Sequence, residues 1–171
     1  ELRSALQQRG YSFYTQSDTE VIVHLYDEYG DDFVDHLNGQ FAIALWDERR
    51  QRLVLSRDRA GILPLFYSRG TDGKVVFASE IKALLPAFDA APRANMTGLD
   101  ALMTLWAPVS PETLFEGVFE VSPGEQLVVD SAGLRARRYW DWRFPESADE
   151  YAAGSEDALA EELHDLLVDA T

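Results

Sequence analysis

The chain has 171 residues, 46% of them hydrophobic and 12% aromatic, enough for one domain with a sizeable core and a short tail. A formal net charge of -15 repels polyanions and so excludes nucleic acid or an anionic membrane surface as a partner. Cysteine is absent, which removes disulfides, thiolate zinc sites and cysteine nucleophiles from these residues, and no apolar run approaches the ~18 residues of a membrane span.

The chain opens at Glu1 inside a helical pattern, without a basic-then-apolar leader, and reads as an interior piece of a longer, cytoplasmic protein. Residues 1–9 set Leu2, Ala5 and Leu6 along one stripe, with Gly10 as the stop. Residues 11–15 alternate as a short strand. Ser17-Asp18-Thr19-Glu20 has the pattern of a capping box, with Ser17 as N-cap and Glu20 three residues on. The helix it opens carries Ile22, Leu25, Tyr26 and Tyr29 on its inner face and ends at Gly30. A short helix through Phe33, Val34 and Leu37 stops at Asn38-Gly39.

The period then becomes strand-like. The apolar run 41–46, the polar turn Asp47-Glu48-Arg49-Arg50 and residues 52–56 read as a hairpin. Residues 65–68 and 74–78, about the turn Arg69-Gly70-Thr71-Asp72-Gly73, read as a second. A run as continuous as 41–46 predicts a strand covered on both faces, with Phe41, Trp46, Phe66, Tyr67 and Phe77 as core residues of these strands. Ser79-Glu80 opens a helix over 81–85 that Pro86 ends; 86–95 is a Pro- and Ala-rich loop and 99–106 a helix. Pro123-Gly124 turns the chain into a strand over 125–129, and Asp130-Ser131-Ala132-Gly133 into 134–139, a third hairpin. Residues 145–154 are polar and linker-like, and Leu159, Leu163, Leu166 and Leu167 then form an amphipathic stripe. From Asp141 onward ten acidic residues stand against Arg143 alone, the mark of a solvated tail.

Helices at one end followed by consecutive hairpins define an α+β fold with antiparallel sheet. His24, His36 and His164 have no metal-ligand spacing, and neither a G-x-G-x-x-G string nor a P-loop signals a nucleotide site.

One ordered set of strings is more informative. Ser17-Asp18-Thr19-Glu20-Val21-Ile22 is followed by Tyr26-x-x-Tyr29-Gly30 and Leu37-x-Gly39-x-Phe41-Ala42-x-Ala44-Leu45-Trp46-Asp47. Then come Arg57-Asp58-Arg59-x-Gly61-Ile62-x-Pro64-Leu65, Phe77-Ala78-Ser79-Glu80-Ile81-Lys82-Ala83-Leu84 and Thr113-Leu114-Phe115-Glu116-Gly117, with Pro123-Gly124 and Tyr139-Trp140 behind. In that order and spacing they resemble the class II glutamine amidotransferase domain of glutamine-hydrolysing asparagine synthetases, over residues 1–142. Residues 143–171 are then an acidic linker and the start of a synthetase domain.

The resemblance implies an N-terminal-nucleophile hydrolase fold, a four-layer αββα sandwich with antiparallel sheets, here incomplete at its N-terminus. It implies glutamine as substrate. An amino-terminal cysteine attacks the side-chain amide and its own α-amino group takes the proton. Ammonia leaves from a glutamyl thioester that water then hydrolyses. A backbone N–H and an asparagine in an Asn-Gly-Glu segment form the oxyanion hole. The cysteine, the Asn-Gly-Glu segment and an Arg-Gly-Pro segment lie upstream of Glu1 in the family pattern, so no residue here is assigned a catalytic role and the chain alone is expected to be inactive. Asp18 matches the carboxylate that receives the α-ammonium group of glutamine, a role that suits a carboxylate held at a helix start. Ser17 and Glu20 read as capping residues, and Arg57-Asp58-Arg59 as an ion-paired turn rather than an anion clamp.

No cofactor is implied for this domain. ATP and magnesium belong to a C-terminal synthetase domain of the same chain, which uses the ammonia to amidate aspartate, and a homodimer is compatible with the family. The alternative is a domain that has lost its cysteine and serves packing or interaction, as in proteins resembling β-lactam synthetase; Asp18 favours the enzyme. A domain without its first strands should expose sheet edges and apolar surface, and associate.

Overall fold

In the computed structural model, α1 (Leu2–Gln8) and α2 (Asp18–Tyr29) lead into a 3-10 helix, Gly30–His36. The structure describes residues 1–70, 73–88, 90, 92–147 and 154–170, in two units, Glu1–Asp141 and Trp142–Thr171. α2 starts where Ser17 Oγ accepts the Thr19 N–H at 3.2 Å, with Asp18 and Glu20 in the first turn where the helix dipole favours acids. It buries Val21, Leu25 and Tyr26, while Ile22 and Tyr29 are half-buried. The 3-10 helix adds Phe33 and Val34, fully enclosed, with the Phe33 ring edge-on to Tyr26 at 5.7 Å. Burying each such side chain contributes about 1.5–3 kcal/mol.

Next along the chain are β1 (Ala42–Asp47), β2 (Arg52–Arg57), β3 (Phe66–Arg69) and β4 (Val75–Ala78). The remaining strands are β5 (Val118–Glu120), β6 (Glu125–Asp130) and β7 (Gly133–Arg138). They form two antiparallel sheets, ordered β1-β2-β6-β7 and β4-β3-β5. Alternation along β2 and β6 divides the core. Val54 and Val128, register partners, pack with Leu25, Phe33 and Val34 beneath the helices. Leu55 and Leu127, also partners, pack with Leu65 and Val121 toward the second sheet. Two polar ties fasten the helical layer to its sheet. Arg52 pairs with Asp31 at 2.7 Å and donates to the Tyr26 hydroxyl, which itself donates to Asp47 at 2.8 Å. Arg137 pairs with Asp32 and Asp35.

The fourth layer rests on α3 (Ile81–Leu84), which follows β4, packs beside β3 and β4 and buries Leu84. α4 (Met96–Leu105) is capped by Asn95 Oδ1, which accepts from Thr97 N–H at 3.1 Å and Gly98 N–H at 3.3 Å. The second unit contains α5 (Glu156–Asp169), capped by Ser155; Leu163, Leu166 and Leu167 of its stripe are exposed. No helix among the described residues is long and apolar enough to cross a membrane.

Several expectations are corrected. Residues 11–15 form no strand, because the Tyr14 and Thr15 N–H groups bond to the Glu20 carboxylate at 2.7 and 2.8 Å instead of to a ladder. For the same reason Glu20 does not return to the Ser17 N–H, and the capping box is only half built. β1 is not covered on both faces: it is an edge strand, with Ala44 exposed and Trp46 54% exposed. Phe77, on edge strand β4, is 42% exposed, and Phe41, Phe66 and Tyr67 are only half-buried. Glu80 stands at the N-cap of α3, but its side chain accepts no N–H of the helix and pairs with Lys82 instead. The α-helix ends at Leu84, just ahead of Pro86 as expected, and Pro86 is the second residue of a 3-10 turn, Leu85–Ala87, where its missing N–H costs nothing. β5 answers to no predicted strand. Thr71 and Asp72 of the second hairpin turn, residues 89 and 91 of the loop and residues 148–153 of the linker lie outside the described residues.

Two carboxylates make the fold acid-sensitive. The Thr15 hydroxyl and the Tyr14 N–H hold Glu20 down at about 2, from an ordinary 4.5. Desolvation pushes the Asp47 carboxyl up, but the Arg50 N–H, the Tyr26 hydroxyl and the Arg50 guanidinium outweigh it and hold Asp47 at about 2, from 3.8. As pH falls through that window the unfolded chain takes up protons first, so the stability these groups give above about pH 4.5 is lost progressively toward about pH 2. Urea midpoints should therefore fall steadily with pH over this range; a flat profile would contradict the assignment.

Candidate glutamine site

The sequence singles out Asp18, and the structure places it as the first residue of α2, exposed. Its side chain makes no hydrogen bond or ion pair among the described residues. The loop before it is tied from both sides. From α1, Arg3 donates to Thr15 O at 2.8 Å and Ser17 O at 3.1 Å, and its guanidinium lies 4.4 Å from the centre of the Phe13 ring. From α2, the Glu20 carboxylate accepts the Tyr14 N–H, the Thr15 N–H and the Thr15 hydroxyl at 2.7, 2.8 and 2.5 Å. Thr15 Oγ1 in turn accepts the Ser17 N–H at 3.2 Å. A free carboxylate at a helix start on a fastened loop can bind a cationic group.

Beginning one residue beyond Asp18, a groove of about 360 Å³ runs between Thr19, Ile22 and Val23 of α2 and the edge strand β1. Trp46 is part of its lining, with its indole N–H donated to Glu48 at 2.6 Å.

Arg57 and Asp58 serve the scaffold. The Arg57 guanidinium donates to Leu63 O, Val121 O and Gly61 O at 2.9, 2.9 and 2.7 Å and pairs with Glu120 at 2.7 Å, so four of its five N–H donors are already spent on the scaffold. Asp58, 1% exposed, accepts the N–H groups of Ile62, Leu63, Ala60 and Phe41 at 3.0, 3.1, 3.2 and 3.4 Å. Burial pushes its carboxyl up, but the Ile62, Leu63 and Phe41 N–H groups outweigh that and hold it below the usual carboxylate range. Among the described residues no group of three His, Asp or Glu is placed to hold a metal. His24 packs between Tyr11 and Phe13, and His36 stacks on Tyr29.

This arrangement of two antiparallel sheets is shared with glutamine phosphoribosylpyrophosphate amidotransferase from B. subtilis, solved with ADP and GMP. The TM-score is 0.53 over 81% of this chain and 26% of that one, at 24% identity, a likeness of fold. Residues 1–140 match the glutamine amidotransferase domain family, and the chain belongs to it. Asparagine synthetase [glutamine-hydrolyzing] 3 of Bacillus subtilis is 43% identical over 142 residues, 82% of this chain and 23% of that protein. Amidase chry2 of Gibberella zeae is 37% identical over 163 residues, 94% of this chain and 23% of that protein. The chain thus spans about a quarter of the length of these relatives.

The parts that sequence reasoning missed are Arg3 and the loop bonds of Glu20. Arg3 reaches carbonyls 12 and 14 residues away, a distance at which no helical period speaks. The Glu20 pattern was visible as a capping box but bonds to different N–H groups.

Proposed function

We propose that this chain supplies the glutamine-hydrolysing domain of an ATP-dependent asparagine synthetase, with Asp18 as the ligand of the glutamine α-ammonium group. The observation that carries the reading is the 43% identity to a glutamine-hydrolysing asparagine synthetase over 142 residues. In this reading the protein is cytoplasmic. Ammonia passes to a synthetase domain of the same chain, where ATP and magnesium serve the amidation of aspartate.

In the full-length protein, Asp18→Ala should raise the KM for glutamine about 10- to 100-fold, the loss of one charge-assisted contact, and leave ammonia-dependent synthesis nearly intact. Parallel loss of both activities would overturn the ligand role. The lower likeness to an amidase supports less well a second reading, a non-hydrolysing domain kept for packing or interaction. A full-length protein that releases no ammonia from glutamine would have that character.

A further inference from the structure

Glu20 makes more bonds than helix capping requires. A capping-box glutamate returns to the N–H of its own N-cap residue. Here Thr15 Oγ1 already serves the Ser17 N–H, and Glu20 passes over it to Tyr14 and Thr15. All three of its donors sit on an exposed loop where water would satisfy them equally well, so the gain is order rather than satisfaction. Arg3 holds the same loop from the opposite side through the carbonyls of Thr15 and Ser17. The two clamps meet at the residues that lead directly into Asp18.

We infer that Glu20, with Arg3 behind it, is a positioning residue for Asp18: it holds loop 13–17 and the first turn of α2 in one geometry, so that an α-ammonium group is met without first ordering the loop. The inference rests on the reading of Asp18 as the ammonium ligand. It assigns Glu20 no contact with substrate. If the loosened loop occupies the competent geometry one time in ten, the apparent affinity falls about tenfold.

The test is steady-state kinetics on the full-length protein with glutamine and, separately, with ammonia. Glu20→Gln places an amide NH2 against donor groups and should raise the KM for glutamine about tenfold, with kcat and ammonia-dependent synthesis unchanged. Glu28→Gln is the control. Glu28 bridges Arg9 at 2.6 Å and the Tyr11 hydroxyl at 2.9 Å, a tie of the same kind farther along α2, and its loss should leave the KM alone. In an Asp18→Asn background Glu20→Gln should add no further rise, because it acts through Asp18. An unchanged KM in Glu20→Gln, a parallel fall of both activities, or a full additional rise in the double variant would each overturn the inference. The reading beneath it fails separately: if Asp18→Asn itself leaves the KM unchanged, Asp18 is not the ligand, whereas a raised KM in Asp18→Asn beside a normal one in Glu20→Gln removes only the positioning role.

Discussion

Asp58→Ala is expected to cost this domain about 4 kcal/mol or more, close to the whole stability of a marginal domain. The side chain is enclosed and its two oxygens serve four backbone N–H groups, from Phe41 before β1 and from Ala60, Ile62 and Leu63 after β2. Alanine leaves these donors without a partner in a place water does not reach freely, and each orphan costs about 1–3 kcal/mol. The damage spreads through Arg57. Its guanidinium is aimed at carbonyls of the same loop, Gly61 and Leu63, and at Val121 on the way to β6. When the loop loosens, those bonds and the pairing with Glu120 loosen with it. Asp58→Asn keeps the shape but turns an NH2 toward N–H groups, so it should fall between wild type and alanine. Urea unfolding followed by tryptophan fluorescence decides the matter, and an alanine variant within about 1 kcal/mol of wild type would show that the carboxylate is not the node of this junction.

Why the sequence showed some of this and not the rest follows from the range of each interaction. α2 was legible because its signals are local: a serine cap, first-turn acids, and apolar residues at helical spacing. The three hairpins were legible because their partners are neighbours in the chain. Which hairpin joined which sheet was not. The pairings β2 with β6 and β3 with β5 join strands far apart in sequence, and alternation on one strand carries no mark of its distant partner. Trp46 and Phe77 were misplaced for the same reason: an aromatic strand looks alike at an edge and at a centre, and only the sheet order shows that β1 and β4 are edges. β5 is three residues long, below what periodicity resolves. At the candidate site, Asp18 was visible through resemblance alone. Its fastening was hidden because Arg3 belongs to a different helix and because Glu20 follows a capping pattern while bonding elsewhere.

The same junction makes a second large effect, at Gly124. This residue has φ +66, and a Cβ on it would run into the carbonyl of Trp140. The close approach is needed, since Gly124 O accepts the N–H groups of Tyr139 and Trp140 at 2.9 and 3.2 Å while its own N–H donates to Asp58 O at 3.0 Å. Tyr139 completes the circuit by donating its hydroxyl to Arg57 O at 2.6 Å. Burial pushes that phenol up to about 12, so it remains a donor throughout the physiological range. Gly124→Ala therefore pays twice, once for a left-handed backbone at about 1–2 kcal/mol and again for displacing the Trp140 carbonyl and the bonds around it, for a total of about 3–4 kcal/mol. Gly117→Ala separates the two terms. Gly117 has φ +75, but nothing lies within 4 Å of where its Cβ would stand, so only the backbone cost applies, about 1–2 kcal/mol. Denaturant midpoints of the two variants should differ by the cost of the close approach. Equal losses would mean that backbone conformation alone demands glycine at 124, and that the strand end at Tyr139 and Trp140 is held by something other than this turn.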